Sequence, residues 1–156
     1  MTPHRHGVRV YYDDTDAGGI VYHANYLRFA ERGRTEALRD IGVPHAEMTA
    51  LHGLFFMVRR IKLDYLAPAR LDDSLIVETT TLIVGAATVE LRQDILRELV
   101  LLARVEVQLV CGRTADQRPA RIPPRWREAM RALARGDAGA GAGIRCAGHG
   151  SAACEA

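Results

Sequence analysis

The pattern of hydrophobic and polar positions predicts one long helix early in the chain. From about Ala24 to Asp40, apolar or small residues recur at helical spacing, and charged residues fill most of the other positions. Gly42 stands where a helix typically ends, with Pro44 beyond it. We therefore expect an amphipathic helix that buries one face. The predicted buried positions are Tyr26, Phe29, Ala30, Gly33, Ala37 and Ile41.

The segments around this helix have the two-residue alternation of strands. The run from Gly7 to Tyr12 predicts a strand that enters an acidic, glycine-rich loop, and residues 51–54 are predicted as a loop after the helix. Apolar residues alternate with charged ones over residues 60–65. Short connections in the later part of the chain predict an antiparallel meander, and a helix followed by strands predicts an α+β domain. Its further strands are expected at residues 74–84, 87–96 and 99–111.

The last part of the chain predicts a second helix and then a tail. Pro124 suits the first turn of a helix that runs to Arg135, with Trp126, Met130 and Leu133 on one side. Its arginines are expected to be only solvated. Residues 136–156 are rich in glycine and alanine and poor in large apolar side chains, so we expect a disordered tail. The sequence thus predicts one domain over residues 1–135.

The composition of the chain is typical of a globular protein of one domain. The chain has 156 residues, 48% of them hydrophobic and 26% charged, and a net charge of +2. This charge does not favour nucleic acid as a partner. Neither a membrane-spanning run nor a signal peptide is evident, which predicts a cytoplasmic protein. The three cysteines form no CxxC pair, so we expect reduced thiols, no metal site and no cofactor.

The densest group of reactive side chains lies between Tyr12 and Tyr26. This stretch joins a strand end, a glycine loop and the start of the long helix. Free N–H groups and the positive end of the helix dipole would polarise an acyl carbonyl there. A carboxylate such as Asp16 is able to activate water or attack the carbonyl itself. The alternative is that three aspartates beside two glycines simply form a turn.

This stretch also resembles a known family. The string YYDDTDAGGIVYHANYLRFAERGRTEALR is similar to the signature of the 4-hydroxybenzoyl-CoA thioesterase superfamily, especially its Tol-Pal-associated acyl-CoA thioesterase branch. The similarity continues through RRIKLDYLAPARLDDSLIVET to about residues 118–123. The resemblance implies a hotdog fold, in which a curved antiparallel sheet wraps a long central helix. It also implies hydrolysis of an acyl-CoA to a free acid and CoA.

The resemblance assigns roles to individual residues. Asp16 corresponds to the catalytic carboxylate, as general base or nucleophile, and Tyr12 to an upstream tyrosine of the site. His23 corresponds to the histidine at the helix start, with its backbone N–H as oxyanion donor and its imidazole orienting substrate or water. The family also implies an active site shared between two subunits, hence a homodimer or homotetramer. The predicted substrate-binding residues are Gly18, Gly19 and Val21.

The sequence also fits other functions. The same fold could serve as a non-catalytic acyl-CoA-binding or protein-interaction module, or as a hydratase that leaves the thioester intact. His23 could be an ordinary histidine at a helix end, and Tyr12 could pack in the core. A serine hydrolase lacks its GxSxG motif, and a zinc hydrolase lacks HExxH. The acyl chain, and CoA or acyl carrier protein as carrier, are left open.

Overall fold

The fold is one antiparallel sheet with helices on a single face. The structure, a computed structural model, describes residues 2–135, so the predicted tail at 136–156 lies outside the described residues. Five strands pair in the order β1-β3-β4-β5-β2. The elements are β1 (His4–Arg9), a 3-10 turn (Tyr12–Asp14), α1 (Asn25–Asp40), α2 (His45–His52), β2 (Leu54–Tyr65), β3 (Ser74–Val84), β4 (Thr88–Arg97), β5 (Val100–Arg113) and α3 (Pro124–Arg135).

Helix α1 packs across the sheet and contacts β1, β3, β4 and β5. The predicted inward positions on α1 are buried, apart from Ile41, which is half-buried just beyond the helix end. Gly42 adopts a positive φ of 79° where the helix stops, as expected of a glycine in that place. Register shifts in the ladders of β2, β3 and β4 bend the sheet around the helix. A curved sheet around a central helix is therefore confirmed.

The contact between helix and sheet is closest at Gly33. A Cβ atom at Gly33 would lie 2.6 Å from Cγ1 of Val77, so only glycine fits there without a shift of β3. Beside it, the fully buried Gln93 donates from Nε2 to the Ala30 carbonyl at 2.7 Å and to Oγ1 of Thr79 at 2.9 Å. The N–H groups of the buried Gln93 amide therefore have hydrogen-bond acceptors in both the helix and the sheet.

Two sequence predictions are wrong at their boundaries. Strand β1 ends at Arg9 and does not reach Tyr12, because the chain turns there into the 3-10 turn closed by the N–H of Asp14 on the Tyr11 carbonyl at 3.1 Å. Residues 51–54 are not a loop, since α2 extends to His52 and β2 begins at Leu54. Helix α2 has Met48 as its one buried residue, so its sequence lacks an amphipathic stripe.

The predicted meander of the three later strands is confirmed. Strands β3, β4 and β5 follow one another, as predicted, but β2 pairs with the far side of β5 and β1 with the far side of β3. Strands β4 and β5 begin one residue after their predicted starts, and β5 extends to Arg113. Strand β3 has the predicted bounds.

Helix α3 has the predicted bounds and packs against β3. Trp126, Met130 and Leu133 are buried, and Nε1 of Trp126 donates to the Val43 carbonyl at 3.1 Å. The expectation that its arginines are only solvated is wrong for Arg125, which pairs with Glu47 at 2.6 Å. Within residues 2–135, no helix is both long and apolar enough to cross a membrane.

Candidate active site

Asp16 begins the tip of a short hairpin that precedes α1. Thr15 and Val21 form an isolated antiparallel bridge, and the N–H of Asp16 donates to the Ile20 carbonyl at 3.0 Å. The N–H of Gly19 returns to the Asp16 carbonyl at 3.0 Å, which closes the turn. Gly19 has a φ of 76°, in the left-handed region that favours glycine. The glycines thus fold the acidic segment into a tight, exposed loop.

The carboxylate of Asp16 takes part in this turn. Its Oδ1 accepts the N–H of Gly18 at 2.8 Å, as in an Asx-turn. Asp16 and Gly18 are both exposed. Within residues 2–135, no hydrogen bond engages Oδ2 of Asp16. One carboxylate oxygen therefore fixes the side chain, and the other accepts no hydrogen bond from the described residues.

Asp14 ties the hairpin to the start of α1. Its carbonyl accepts the N–H of Tyr22 at 2.9 Å and Nδ2 of Asn25 at 2.9 Å. Its buried carboxylate accepts the N–H of Tyr11 at 2.9 Å. Asp14 is thus structural, whereas Asp13 is exposed.

His23 lies at the turn that begins α1, with its side chain exposed. The His23 ring lies 4.4 Å from that of Tyr22, centroid to centroid. The hydroxyl of Tyr65 donates to the His23 carbonyl at 2.7 Å. Among residues 2–135, the backbone N–H groups of His23 and Ala24 have no acceptor. Two free donors therefore stand at the positive end of the helix dipole, where an oxyanion is stabilised.

The other predicted site residues lie in different surroundings. The side chain of Tyr12 is 81% exposed and is not packed in the core. Val21 is 2% exposed and belongs to the core under α1, so its contact with substrate stays a prediction. No hydrogen bond within the described part of the chain joins the side chains of Asp16, His23 and Tyr12. The structure brings Asp16 together with Gly18 and Gly19 in one turn. Asp16 pairs with Ile20 across the hairpin, and His23 follows Ile20 by three residues.

Residues 66–73 form backbone hydrogen bonds with the hairpin that carries Asp16. Val21 donates its N–H to the Ala69 carbonyl at 2.9 Å, and Ile20 pairs with Arg70 in an isolated bridge. Asp73 accepts the N–H of Arg70 at 2.9 Å and Nη1 of Arg97 at 2.7 Å. Partial burial opposes ionisation of Asp73, but these two donors outweigh it and lower the pKa of the carboxyl. The ionised Asp73 therefore anchors the supporting loop to β4.

Two residues that matter at this site were not predicted from the sequence. Asn25 connects α1 to the hairpin, and Tyr65 connects β2 to the helix start. Asn25 falls inside the quoted signature, but its side chain donates to the Asp14 carbonyl and does not cap the helix. Tyr65 has no local signal, because its partner is 42 residues away in sequence.

A groove in the structure lies away from this region. It has a volume of about 710 Å³ and contains neither Asp16 nor His23. It lies between the end of α2 and the start of α3, with Arg121, Arg127 and Arg131 in its wall. The reactive groups are instead on an exposed surface, where a carboxylate and a helix start with free N–H groups are suited to acyl transfer.

Comparisons with known proteins indicate the family of the chain. Residues 10–130 match the family model of the thioesterase-like superfamily. The chain is similar to acyl-CoA thioesterase YbgC of Haemophilus influenzae, with 40% identity over 126 residues, 81% of this chain and 93% of that protein. It is similar to acyl-CoA thioester hydrolase YbgC of Escherichia coli O6:H1, with 44% identity over 119 residues, 74% of this chain and 87% of that protein.

A solved structure is similar over most of the chain. A protein from Bartonella henselae, described as a probable thioesterase, superposes with a TM-score of 0.73 at 35% identity. The match covers 78% of this chain and 99% of that chain. The hotdog fold implied by the sequence is therefore confirmed.

Proposed function

The chain belongs to the thioesterase-like superfamily and is an acyl-CoA thioesterase, and we propose that Asp16 and the start of α1 carry out its chemistry. One observation supports the proposal: a single hydrogen-bonded segment joins an exposed carboxylate to helix-start N–H groups that have no acceptor within residues 2–135. Asp16 stands on the hairpin, and His23 follows it at the helix start. These are the two kinds of group that thioester hydrolysis needs.

The reaction requires a nucleophile and a site for the oxyanion. The Asp16 carboxylate either removes a proton from a water that attacks the thioester carbon, or attacks that carbon itself. In both cases the carbonyl oxygen becomes an oxyanion, which accepts the N–H of His23. The C–S bond then breaks, and the CoA thiolate leaves and takes up a proton. On the second route, water hydrolyses the resulting acyl–aspartate anhydride and restores Asp16.

The remaining site residues have supporting roles in this proposal. The exposed imidazole of His23 orients the substrate or the water. The exposed side chain of Tyr12 contributes its hydroxyl to the site. Gly18 and Gly19 let a bulky acyl-CoA approach the backbone closely. Val21 supports the substrate-binding surface from the core side.

We also propose that the site is completed by a second subunit. Within residues 2–135 of a single chain, the side chains of Asp16, Tyr12 and His23 are exposed. Among the strands of residues 2–135, β1 and β2 each pair on one side only, which leaves two sheet edges for association. A homodimer, or a homotetramer built from two dimers, would enclose the site. Residues 1–135 form the thioesterase domain in this proposal.

Release of free thiol tests the activity. The protein is incubated with short-chain, long-chain and aromatic acyl-CoAs, and the thiol is measured with a chromogenic disulfide. We expect release from at least one class, with the Asp16→Asn protein as blank. A hydratase would change the acyl chain and release no thiol, so a modified acyl-CoA with its thioester intact would contradict the proposal.

A further inference from the structure

Tyr65 ties the edge of the sheet to the start of α1. It is the last residue of β2, and its hydroxyl donates to the His23 carbonyl at 2.7 Å. This distance is typical of a well-formed O–H···O hydrogen bond. The bond joins two elements that are far apart in sequence. It lies beside the N–H groups of His23 and Ala24, which have no acceptor in the part of the chain that the structure describes.

The ring of Tyr65 is held independently of this hydrogen bond. It packs edge to face against Tyr26, with centroids 5.5 Å apart and an angle of 81°. Tyr26 is itself buried, and its hydroxyl accepts the N–H of Ala69 at 3.0 Å. Burial and the neighbouring Tyr26 raise the pKa of Tyr65, so its hydroxyl stays protonated and able to donate. Removing the hydroxyl alone would therefore leave the ring in place.

The Tyr65 bond fixes a complete peptide group. A trans peptide is planar, and its C=O and N–H point in opposite directions. Residues 2–135 contain no cis peptide. Holding the His23 carbonyl therefore also directs the N–H of Ala24. The preceding peptide is fixed in the same way, because the Tyr22 carbonyl accepts the N–H of Asn25 at 2.9 Å, which directs the N–H of His23.

We infer that Tyr65 is a positioning residue for the oxyanion site, and that the N–H of Ala24 acts there beside the N–H of His23. This inference rests on the proposed function, which places the oxyanion at the helix start. Tyr65 contacts the carbonyl on the opposite side of the peptide and does not touch the reacting atoms. Its hydroxyl keeps the peptide in one orientation and polarises it, which strengthens the Ala24 N–H as a donor.

The Tyr65→Phe variant tests this role, since it removes the hydroxyl and keeps the ring against Tyr26. We expect kcat to fall about ten-fold and KM to change less than about two-fold, because the donors serve the transition state more than the ground state. The melting temperature should stay within about 2 °C of wild type. Tyr11→Phe is the matched control, because the exposed Tyr11 hydroxyl has no hydrogen bond within residues 2–135. Its kcat should equal that of wild type.

A double variant separates positioning of the backbone from an effect on the imidazole. In the His23→Ala background, Tyr65→Phe should lower kcat by the same factor, because the peptide group is still present. The inference would be overturned by a wild-type kcat in Tyr65→Phe or by an effect on KM alone. It would also be overturned if Tyr65→Phe did not lower kcat in the His23→Ala background. Asp16→Asn is assayed in parallel. If Asp16→Asn is active, the proposed function fails; if it is inactive while Tyr65→Phe is normal, only this inference fails.

Discussion

Oδ1 of Asp16 accepts the N–H of Gly18 at 2.8 Å, so the proposed catalytic carboxylate also closes the turn that carries it. A turn bond of this kind holds a side chain in one rotamer without neighbouring side chains. The other oxygen, Oδ2, is left for chemistry. Asp16 can therefore close the turn with one oxygen and take part in the proposed chemistry with the other. Different substitutions test these two roles separately.

The Gly18→Ala variant tests the position of the carboxylate. A Cβ at Gly18 would lie 3.0 Å from Oδ1 of Asp16, so the carboxylate has to shift by a few tenths of an ångström. We expect kcat to fall about ten-fold, since small displacements of a catalytic group are costly. Stability should change by less than about 0.5 kcal/mol at this exposed position. Steady-state kinetics and thermal unfolding measure the two effects.

Gly19→Ala is the matched control for this prediction. No atom lies within 4 Å of a Cβ built there, but φ is +76°. Its effect should therefore be a loss of about 1 kcal/mol in unfolding free energy from backbone strain, with a smaller effect on kcat than in Gly18→Ala. Wild-type kcat in Gly18→Ala would show that the observed position of the carboxylate is not the one that matters.

His23→Ala separates the backbone of His23 from its side chain. The substitution keeps the N–H that is proposed to bind the oxyanion and removes the imidazole. We predict a kcat about ten-fold below wild type, a smaller loss than in Asp16→Asn. Should a folded His23→Ala protein that still binds acyl-CoA be as inactive as Asp16→Asn, the imidazole would have to act as acid or base.

Strong local patterns allowed much of the fold to be predicted. Helix α1 combines a clear apolar stripe with a stop at Gly42, and α3 combines an early proline with Trp126, Met130 and Leu133 on one side. Helix α2 has no such stripe and was missed. The order of the strands was not predictable either, because pairing of β2 with β5 depends on contacts across the whole sheet.

Some residues of the candidate site were predicted from the sequence, and others were not. Asp16, Gly18 and Gly19 form one local motif, and both its turn and its proposed chemistry follow from neighbouring residues. Tyr65 reaches His23 only after the sheet has folded against α1, so nothing near it in sequence indicates the bond. Val21 lies inside the local motif and was predicted to bind substrate, but its side chain lies in the core.

Association into at least a dimer is a further prediction. The proposed residues are exposed in one chain, and a second subunit would shield them from bulk water. Light scattering coupled to size exclusion, at the concentration used for the assay, should give at least twice the mass of one chain. A fully active species with the mass of one chain would contradict a site shared between subunits.

The most direct test of the account compares Asp16→Asn with Asp13→Asn. Asparagine keeps an oxygen that can accept the Gly18 N–H, so the turn should persist, but it is neither a base nor a nucleophile. Asp13 is an exposed aspartate three residues earlier, and its substitution controls for the loss of one negative charge. The measurement is kcat for thiol release from the best acyl-CoA. We predict a loss of at least about 100-fold for Asp16→Asn and near wild-type turnover for Asp13→Asn; an Asp16→Asn protein with wild-type turnover would contradict the assignment.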